Sequence, residues 1–145
     1  SVPVSQLEFP HNNNRRDVSM GFLDKYASQI LGITRIIAGL LFLAHGTNKI
    51  FNFPARDTWN GYDPMTLGGA AGLIEVIGGT LIILGFYSRP AAFIASGTMA
   101  VAYWYAHFPR NFFPLLNGGD AAILFCFLFL YIAAAGPGAF SINKK

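Results

Sequence analysis

The feature that most constrains this chain is an apolar, glycine-rich stretch, residues 68–79, that carries a single carboxylate. At 100° per residue, one stripe of a helix holds three glycines and this carboxylate: Gly68, Gly72, Glu75 and Gly79. Each glycine weakens a helix in water by about 1 kcal/mol relative to alanine. In a bilayer the backbone has no water to bind, so the helix persists and its flat face admits a second helix. The stretch therefore predicts a membrane helix with Glu75 at a helix–helix interface.

Composition also favours a membrane protein of one domain. The 145 residues are 53% hydrophobic and only 12% charged, whereas soluble domains carry about 25% charged residues. The formal net charge is +3, and no basic run is long enough to indicate nucleic-acid binding. The single cysteine, Cys126, excludes a disulfide or a Cys-x-x-Cys redox pair within these residues. It lies in an apolar run, which predicts a small buried core residue.

Four apolar stretches are predicted to cross a bilayer with a hydrocarbon core of about 30 Å. They are residues 29–51, 67–86, 90–108 and 120–135. Pro54 stops the first because proline cannot continue the helical hydrogen bonds, and Pro90 suits the first turn of the third. We predict an all-α transmembrane four-helix bundle with short loops. Its parts are a polar N-terminal extension and interfacial lead-in (1–28), a membrane domain (29–138) and a tail (139–145).

The number of spans and the basic residues predict the orientation. Four spans place both termini on one side, which carries six basic residues: Arg15, Arg16, Lys25, Arg89, Lys144 and Lys145. The other side carries three: Lys49, Arg56 and Arg110. This bias predicts cytoplasmic termini. Residues 1–19 contain no run that resembles a signal peptide, and Met20 could be the natural start.

Glu75 has a candidate partner in the first span. Arg35 shares a helical stripe with Gly39, Gly46 and Lys49, and this stripe mirrors the one around Glu75. At 1.5 Å per residue, Arg35 and Glu75 are expected close enough in depth to form an ion pair. Such a pair could fix only the register of the helices, or it could bind a polar headgroup or relay a proton. Glu75 and Arg35 are therefore a candidate proton or ion-pair site.

A second polar group is expected where the first and third spans end and the fourth begins. Its members are His45, Lys49, His107, Arg110, Asn117 and Asp120. The two histidines could donate to a quinone carbonyl or ligate a haem, but without a third ligand they are weak evidence for a metal site. Asp120 also suits the positive end of a helix dipole, and Lys49 could simply extend to the interface. We take His45, Lys49, His107 and Asp120 as a candidate site for a quinone headgroup, and predict no metal site.

Several of these segments together resemble the DoxX family. They are RIIAGLLF (35–42) with His45, Gly46 and Lys49; GLIEVIGG (72–79) with LGF (84–86) and Arg89; NGGD (117–120); and GPGAFS (136–141). The resemblance covers residues 30–142, and Asp120 stands where the family often has glutamate. It implies a four-helix protein of the bacterial inner membrane. Some relatives are associated with thiosulfate:quinone oxidoreduction, and others with oxidative-stress or respiratory assemblies.

Two functional hypotheses follow. The first is a multi-pass membrane subunit, embedded in the lipid bilayer beside other subunits, of a quinone-linked redox or respiratory complex. If it is enzymatic, it is part of a quinone-dependent oxidoreductase. The alternative is a non-catalytic accessory or structural subunit of a larger membrane complex, because the chain has no dithiol, nucleotide loop or nucleophile triad. A carrier or channel is disfavoured, since the polar groups form no continuous path.

Overall fold

The computed structural model describes Pro3 and residues 21–145, and this part of the chain contains helices and no strands. The helices are, in chain order, α1 (Gly21–Asp24), α2 (Ala27–Phe51), α3 (Leu67–Leu84), α4 (Ser88–Ala102), α5 (Pro114–Asn117) and α6 (Asp120–Ala135). A π-helical turn (Tyr103–His107) and a 3₁₀ turn (Phe108–Arg110) extend α4. The all-α prediction is confirmed for these residues. The predictions about Arg15, Arg16 and Met20 lie outside them.

Two of the helices, α2 and α3, are long and apolar enough to cross a membrane, and α6 is a shorter apolar helix. Local backbone chemistry sets their limits. Helix α2 ends at Phe51, the predicted end of the first span, because Asn52 takes a left-handed conformation with φ 53°. The Thr66 hydroxyl caps α3 by accepting the Gly69 amide at 3.0 Å. Gly85, with φ 64°, ends α3 at Leu84, two residues before the predicted limit.

Glycines let α2 and α3 pack antiparallel with their backbones in contact. A methyl group added at Gly79 would lie 3.0 Å from the Leu43 amide nitrogen and 3.1 Å from the Gly39 carbonyl oxygen. A methyl group at Gly46 would lie 2.8 Å from the Val76 amide nitrogen. The predicted flat face is therefore a helix–helix interface. Gly68, by contrast, has no neighbour within 4 Å of such a methyl group and lies outside it.

An aromatic and alanine core joins α2 and α3 to α4 and α6. Phe42 of α2 is buried, and its ring lies 5.0 Å, centroid to centroid, from Phe129 of α6. Ala92 and Ala95 of α4 are fully buried in the same cluster. Large apolar side chains also cover much of the outer surface, for example Ile37, Leu40, Ile77, Phe93, Ile94, Leu124 and Phe127. The fold thus buries alanines and a few large apolar side chains between the helices, and leaves many other large apolar side chains exposed.

The two ends of the bundle differ. The C-terminal tail, residues 136–145, folds back across one end, here called the tail end. Its amides bond to three carbonyl oxygens of other segments: Ala139 to Ser28 at 2.9 Å, Ile142 to Leu84 at 3.1 Å and Asn143 to Gly85 at 3.1 Å. The opposite end, here called the loop end, carries the connections 52–66 and 108–119.

The contact between α2 and α3 generates a stability prediction. Gly46→Ala forces the added methyl group against the Val76 backbone, so we expect the free energy of unfolding to fall by about 1–3 kcal/mol. Gly97→Ala is the matched control, because an added methyl group there meets nothing within 4 Å. The control should be neutral or more stable by up to about 1 kcal/mol. Denaturant unfolding in detergent micelles measures both, and equal effects would contradict the packing described.

Candidate functional site

Arg35 lies at the tail end, fully buried, and its guanidinium binds backbone carbonyls. The Nη1 atom donates to Pro137 at 2.6 Å and to Ala139 at 3.2 Å. The Nη2 atom donates to Phe140 at 2.7 Å and to Ile83 at 3.5 Å. One cation thereby ties the tail to the last turn of α3, where unpaired carbonyls give the helix a partial negative charge.

The predicted ion pair between Arg35 and Glu75 is not formed. Glu75 is 1% exposed, and its Oε1 atom accepts from the Lys49 ammonium at 2.5 Å. The register explains the difference, because Glu75 lies opposite Gly46, eleven positions beyond Arg35 along α2. Eleven residues span about 16 Å of helix, beyond the reach of an arginine side chain.

The Glu75 carboxylate is only half satisfied. Its Oε2 atom is buried without a hydrogen-bond partner among the described residues. Its Cβ atom would lie 2.9 Å from a methyl group at Gly46, so the side chain packs directly against the α2 backbone. A buried carboxylate with a free oxygen can accept a further hydrogen bond or a proton.

Lys49 connects this buried carboxylate with a polar vestibule at the loop end. The vestibule is a cavity of about 230 Å³ under the 52–66 connection, and Lys49, 31% exposed, is part of its wall. The Trp59 indole donates to the Lys49 carbonyl at 2.9 Å, and the Tyr62 hydroxyl donates to the Gly69 carbonyl at 2.9 Å. These bonds hold the connection over the vestibule, so these two aromatic residues have a specific structural role at this end.

A separate cavity of about 200 Å³ brings the two histidines together. It lies between α2, α4 and α6 near the loop end, and its wall is otherwise largely apolar: Phe42, His45, Met99, Ala102, His107, Gly118, Ala121, Ala122 and Phe125. This volume is below the roughly 300–1,000 Å³ of typical small-molecule pockets. We call this space the histidine cavity.

Hydrogen bonds fix the same tautomer for both neutral imidazoles. His45 Nδ1 lies 2.7 Å from the Leu41 carbonyl oxygen, and His107 Nδ1 lies 3.1 Å from the Asn117 carbonyl oxygen. Because a carbonyl oxygen can only accept, each Nδ1 carries the proton and each Nε2 keeps its lone pair. Within residues 21–145 neither Nε2 has a hydrogen-bond partner. The pair can therefore accept two hydrogen bonds, or donate them when protonated.

Asn117 positions His107, although the sequence analysis did not select it for the site. Its side chain is 2% exposed; it donates to the Tyr103 hydroxyl at 3.2 Å and the Asn111 carbonyl at 3.0 Å, and accepts the Gly119 amide at 2.8 Å. The π-helical turn that carries His107 is a distortion common at functional sites. The sequence feature that marks this turn is Asn117 followed by Gly118 and Gly119.

The remaining predicted residues lie apart. Asp120 is exposed at the first position of α6, where it suits the helix dipole, and it does not line the histidine cavity. Lys49 lines the vestibule instead of that cavity. Cys126 is half-buried, and its carbonyl accepts the Ser96 hydroxyl at 2.7 Å. The structure thus divides the predicted residues among the tail end, the vestibule and the histidine cavity.

Comparison with known proteins gives the family. The profile of the DoxX family matches residues 30–108. The chain belongs to the DoxX family. An uncharacterized protein of Haemophilus influenzae is 43% identical over 132 residues, which cover 87% of this chain and 97% of that protein. The inner membrane protein YphA of Escherichia coli is 30% identical over 132 residues, 80% and 89% of the two chains. No solved structure matches.

The family match overlaps both long apolar helices and supports a membrane protein. The family match contains Arg35, His45, Lys49, Glu75 and His107 and ends at residue 108. It therefore covers α2 from residue 30 onward, α3, α4 and the π-helical turn of this DoxX protein. The matches to the two relatives, over 132 residues each, extend beyond that segment.

The pairing of Glu75 with Lys49 can be measured by double-mutant cycles. We expect Lys49→Met and Glu75→Gln to show a coupling energy of about 0.5–3 kcal/mol, because the two side chains are in direct contact. Arg35→Met and Glu75→Gln should add within about 0.5 kcal/mol, because about 16 Å of helix separates the positions. The free energies of unfolding of the single and double variants, measured in detergent micelles, give both coupling energies. A larger coupling for the Arg35 pair would overturn the register described.

Proposed function

We propose that this protein is a multi-pass protein of the bacterial inner membrane in which α2, α3, α4 with its π-helical turn, and α6 all cross the bilayer, with cytoplasmic termini. Its support is the pair of long apolar helices, the apolar α6 and the large apolar side chains exposed around the bundle. YphA, a relative, is named an inner membrane protein. The basic residues on the terminal side support the orientation.

The proposed function is to hold a quinone headgroup within a membrane redox or respiratory complex. The observation that carries this proposal is the histidine cavity, which has two imidazoles and the rings of Phe42 and Phe125 in its wall. Stacking and edge contacts from the phenylalanines suit an aromatic ring. A quinone would supply two-electron redox chemistry, and the protein would supply its position and hydrogen bonds.

The imidazoles match both forms of such a ligand. Neutral His45 and His107 each present an Nε2 lone pair to a hydroxyl group of the reduced form. Protonated, the same atoms donate to the carbonyl oxygens of the oxidised form. If the protein takes part in catalysis, it does so as one part of a quinone-dependent oxidoreductase, whose other subunits carry the electrons.

A specific surface favours the alternative, a non-catalytic accessory subunit. An apolar groove of about 440 Å³ runs between α3 and α4 on the outside of the bundle, and Gly68 and Gly97 in its wall have nothing within 4 Å of an added methyl group. Small residues on an exposed helix face allow close approach of another membrane helix. This groove would then serve a partner subunit, and the histidine cavity would be a packing defect.

Quinone binding decides between the two. We expect the gently purified protein to retain a quinone, and the depleted protein to bind it saturably. His45→Ala and His107→Ala should each weaken binding by roughly 10-fold, the loss of about one hydrogen bond. Asp120→Asn is the control, because Asp120 lies outside the cavity wall.

Equilibrium titration followed by ligand extraction and mass spectrometry measures these effects. A protein that neither retains nor binds quinone contradicts the proposal. If such a protein is recovered in stoichiometric amounts with a large membrane enzyme, the result supports the accessory role.

A further inference from the structure

We propose that Glu75 and Lys49 form a proton-exchange path between the histidine cavity and the polar vestibule, so that a hydroxyl-bearing ligand exchanges protons at the loop end only. This inference rests on the proposed function, because it needs a ligand in the histidine cavity. It adds to that function the end of the protein at which the proton is exchanged. It also adds two residues, Glu75 and Lys49, that do not touch the ligand.

The first step of the path runs from His45, in the wall of the histidine cavity, to Glu75, which is not itself part of that wall. His45 lines the cavity, and the next residue, Gly46, is the one against which Glu75 packs. Consecutive Cα atoms are about 3.8 Å apart, so the imidazole and the carboxylate share one short stretch of α2. Glu75 Oε2 has no partner among the described residues, which leaves it available to accept a proton from this side, directly or through one water.

The second step is the contact between Glu75 and the vestibule. Lys49 bonds to Glu75 Oε1 and lines the vestibule, and it is 31% exposed while Glu75 is 1% exposed. The lysine stem is flexible, so its ammonium can turn into the vestibule and leave the carboxyl group open to water. Lys49 therefore lies between the buried Glu75 carboxylate and the vestibule.

The positions of the charged groups also support proton exchange at the loop end. On α2 they are Lys49 and His45, and in the vestibule wall they are Arg56 and Asp63. The only charged residue of α4 is Arg89, which donates to the Ala133 and Ala134 carbonyls at the tail end. Arg35, likewise at the tail end, is bound to backbone carbonyls. The described residues therefore provide ionisable neighbours toward the vestibule and not toward the tail end.

The transfer balances as a proton exchange without redox chemistry. The ligand O–H bond breaks and an N–H bond forms at His45 Nε2. That bond then breaks as an O–H bond forms at Glu75 Oε2, and the neutral carboxyl group releases Lys49. Finally water in the vestibule takes the proton from Oε2, and the carboxylate binds Lys49 again. The reverse sequence returns a proton to the ligand.

The test uses a ligand that reports its own ionisation. The probe is 2-hydroxy-1,4-naphthoquinone, whose visible absorbance differs between the neutral and ionised forms. The full chain is reconstituted in vesicles with one orientation, the probe is bound, and the pH is changed rapidly on one side. Absorbance gives the exchange rate of the bound probe, and titration of the same samples gives its Kd.

We expect fast exchange when the pH changes on the loop side and slow exchange when it changes on the tail side. Glu75→Gln should slow the loop-side exchange by roughly 100-fold or more, the effect of losing a proton-transferring group. Its Kd should stay within about 3-fold of the unchanged protein. Lys49→Met tests the same path if Glu75→Gln does not fold, and Asp120→Asn should exchange at the normal rate.

Each outcome separates the two proposals. Saturable binding with an unchanged exchange rate in both Glu75→Gln and Lys49→Met overturns the path and leaves the quinone site intact. Equal exchange from both sides also overturns it. Failure of the unchanged protein to bind the probe, or equal binding after His45→Ala, overturns the quinone site, and the path is rejected with it.

Discussion

The backbones of α2 and α3 pack against each other at their glycines, and this contact positions the buried charges of the protein. Gly39, Gly46 and Gly79 remove the side chains that would keep the two backbones apart, so only one register packs well. That register sets Glu75 opposite Gly46 and within reach of Lys49. A shift of one helical turn would move the carboxylate about 5 Å and remove its partner. The glycines therefore position the charges as well as the helices.

The two buried charges are stabilised by different means at opposite ends. Arg35 spreads its charge over three carbonyl oxygens of the C-terminal tail and one in the last turn of α3, a structural use of a forked donor. Glu75 instead has one cationic partner, Lys49, and one oxygen without a hydrogen-bond partner among the described residues. A group held rigidly by several bonds serves packing, whereas a half-satisfied carboxylate beside a polar cavity is suited to exchange protons. The tail end therefore holds its buried charge with several hydrogen bonds, and the loop end is where we propose the chemistry.

The loop end depends on contacts that are distant in sequence. His45 of α2 and His107 of the π-helical turn share one cavity only because Phe42 packs on Phe129 and because Asn117 holds the 108–119 connection. Asn117 belongs to the polar group named from the sequence, but its part in holding His107 was not predicted. Its bonds join residues 103, 111, 117 and 119, and no periodic pattern encodes such a network.

The helical class, most helix limits and the membership of the glycines in a helix interface could be predicted from the residues alone. Those properties depend on local composition, on proline and glycine geometry and on periodicity. The sequence also identified both histidines and the buried carboxylate as the residues of interest. Only the tertiary structure decided the partners: Lys49 for Glu75, backbone carbonyls for Arg35, and one shared cavity for His45 and His107. The physical reason is that depth estimated within single helices carries no information about their mutual register, which the packed backbones fix.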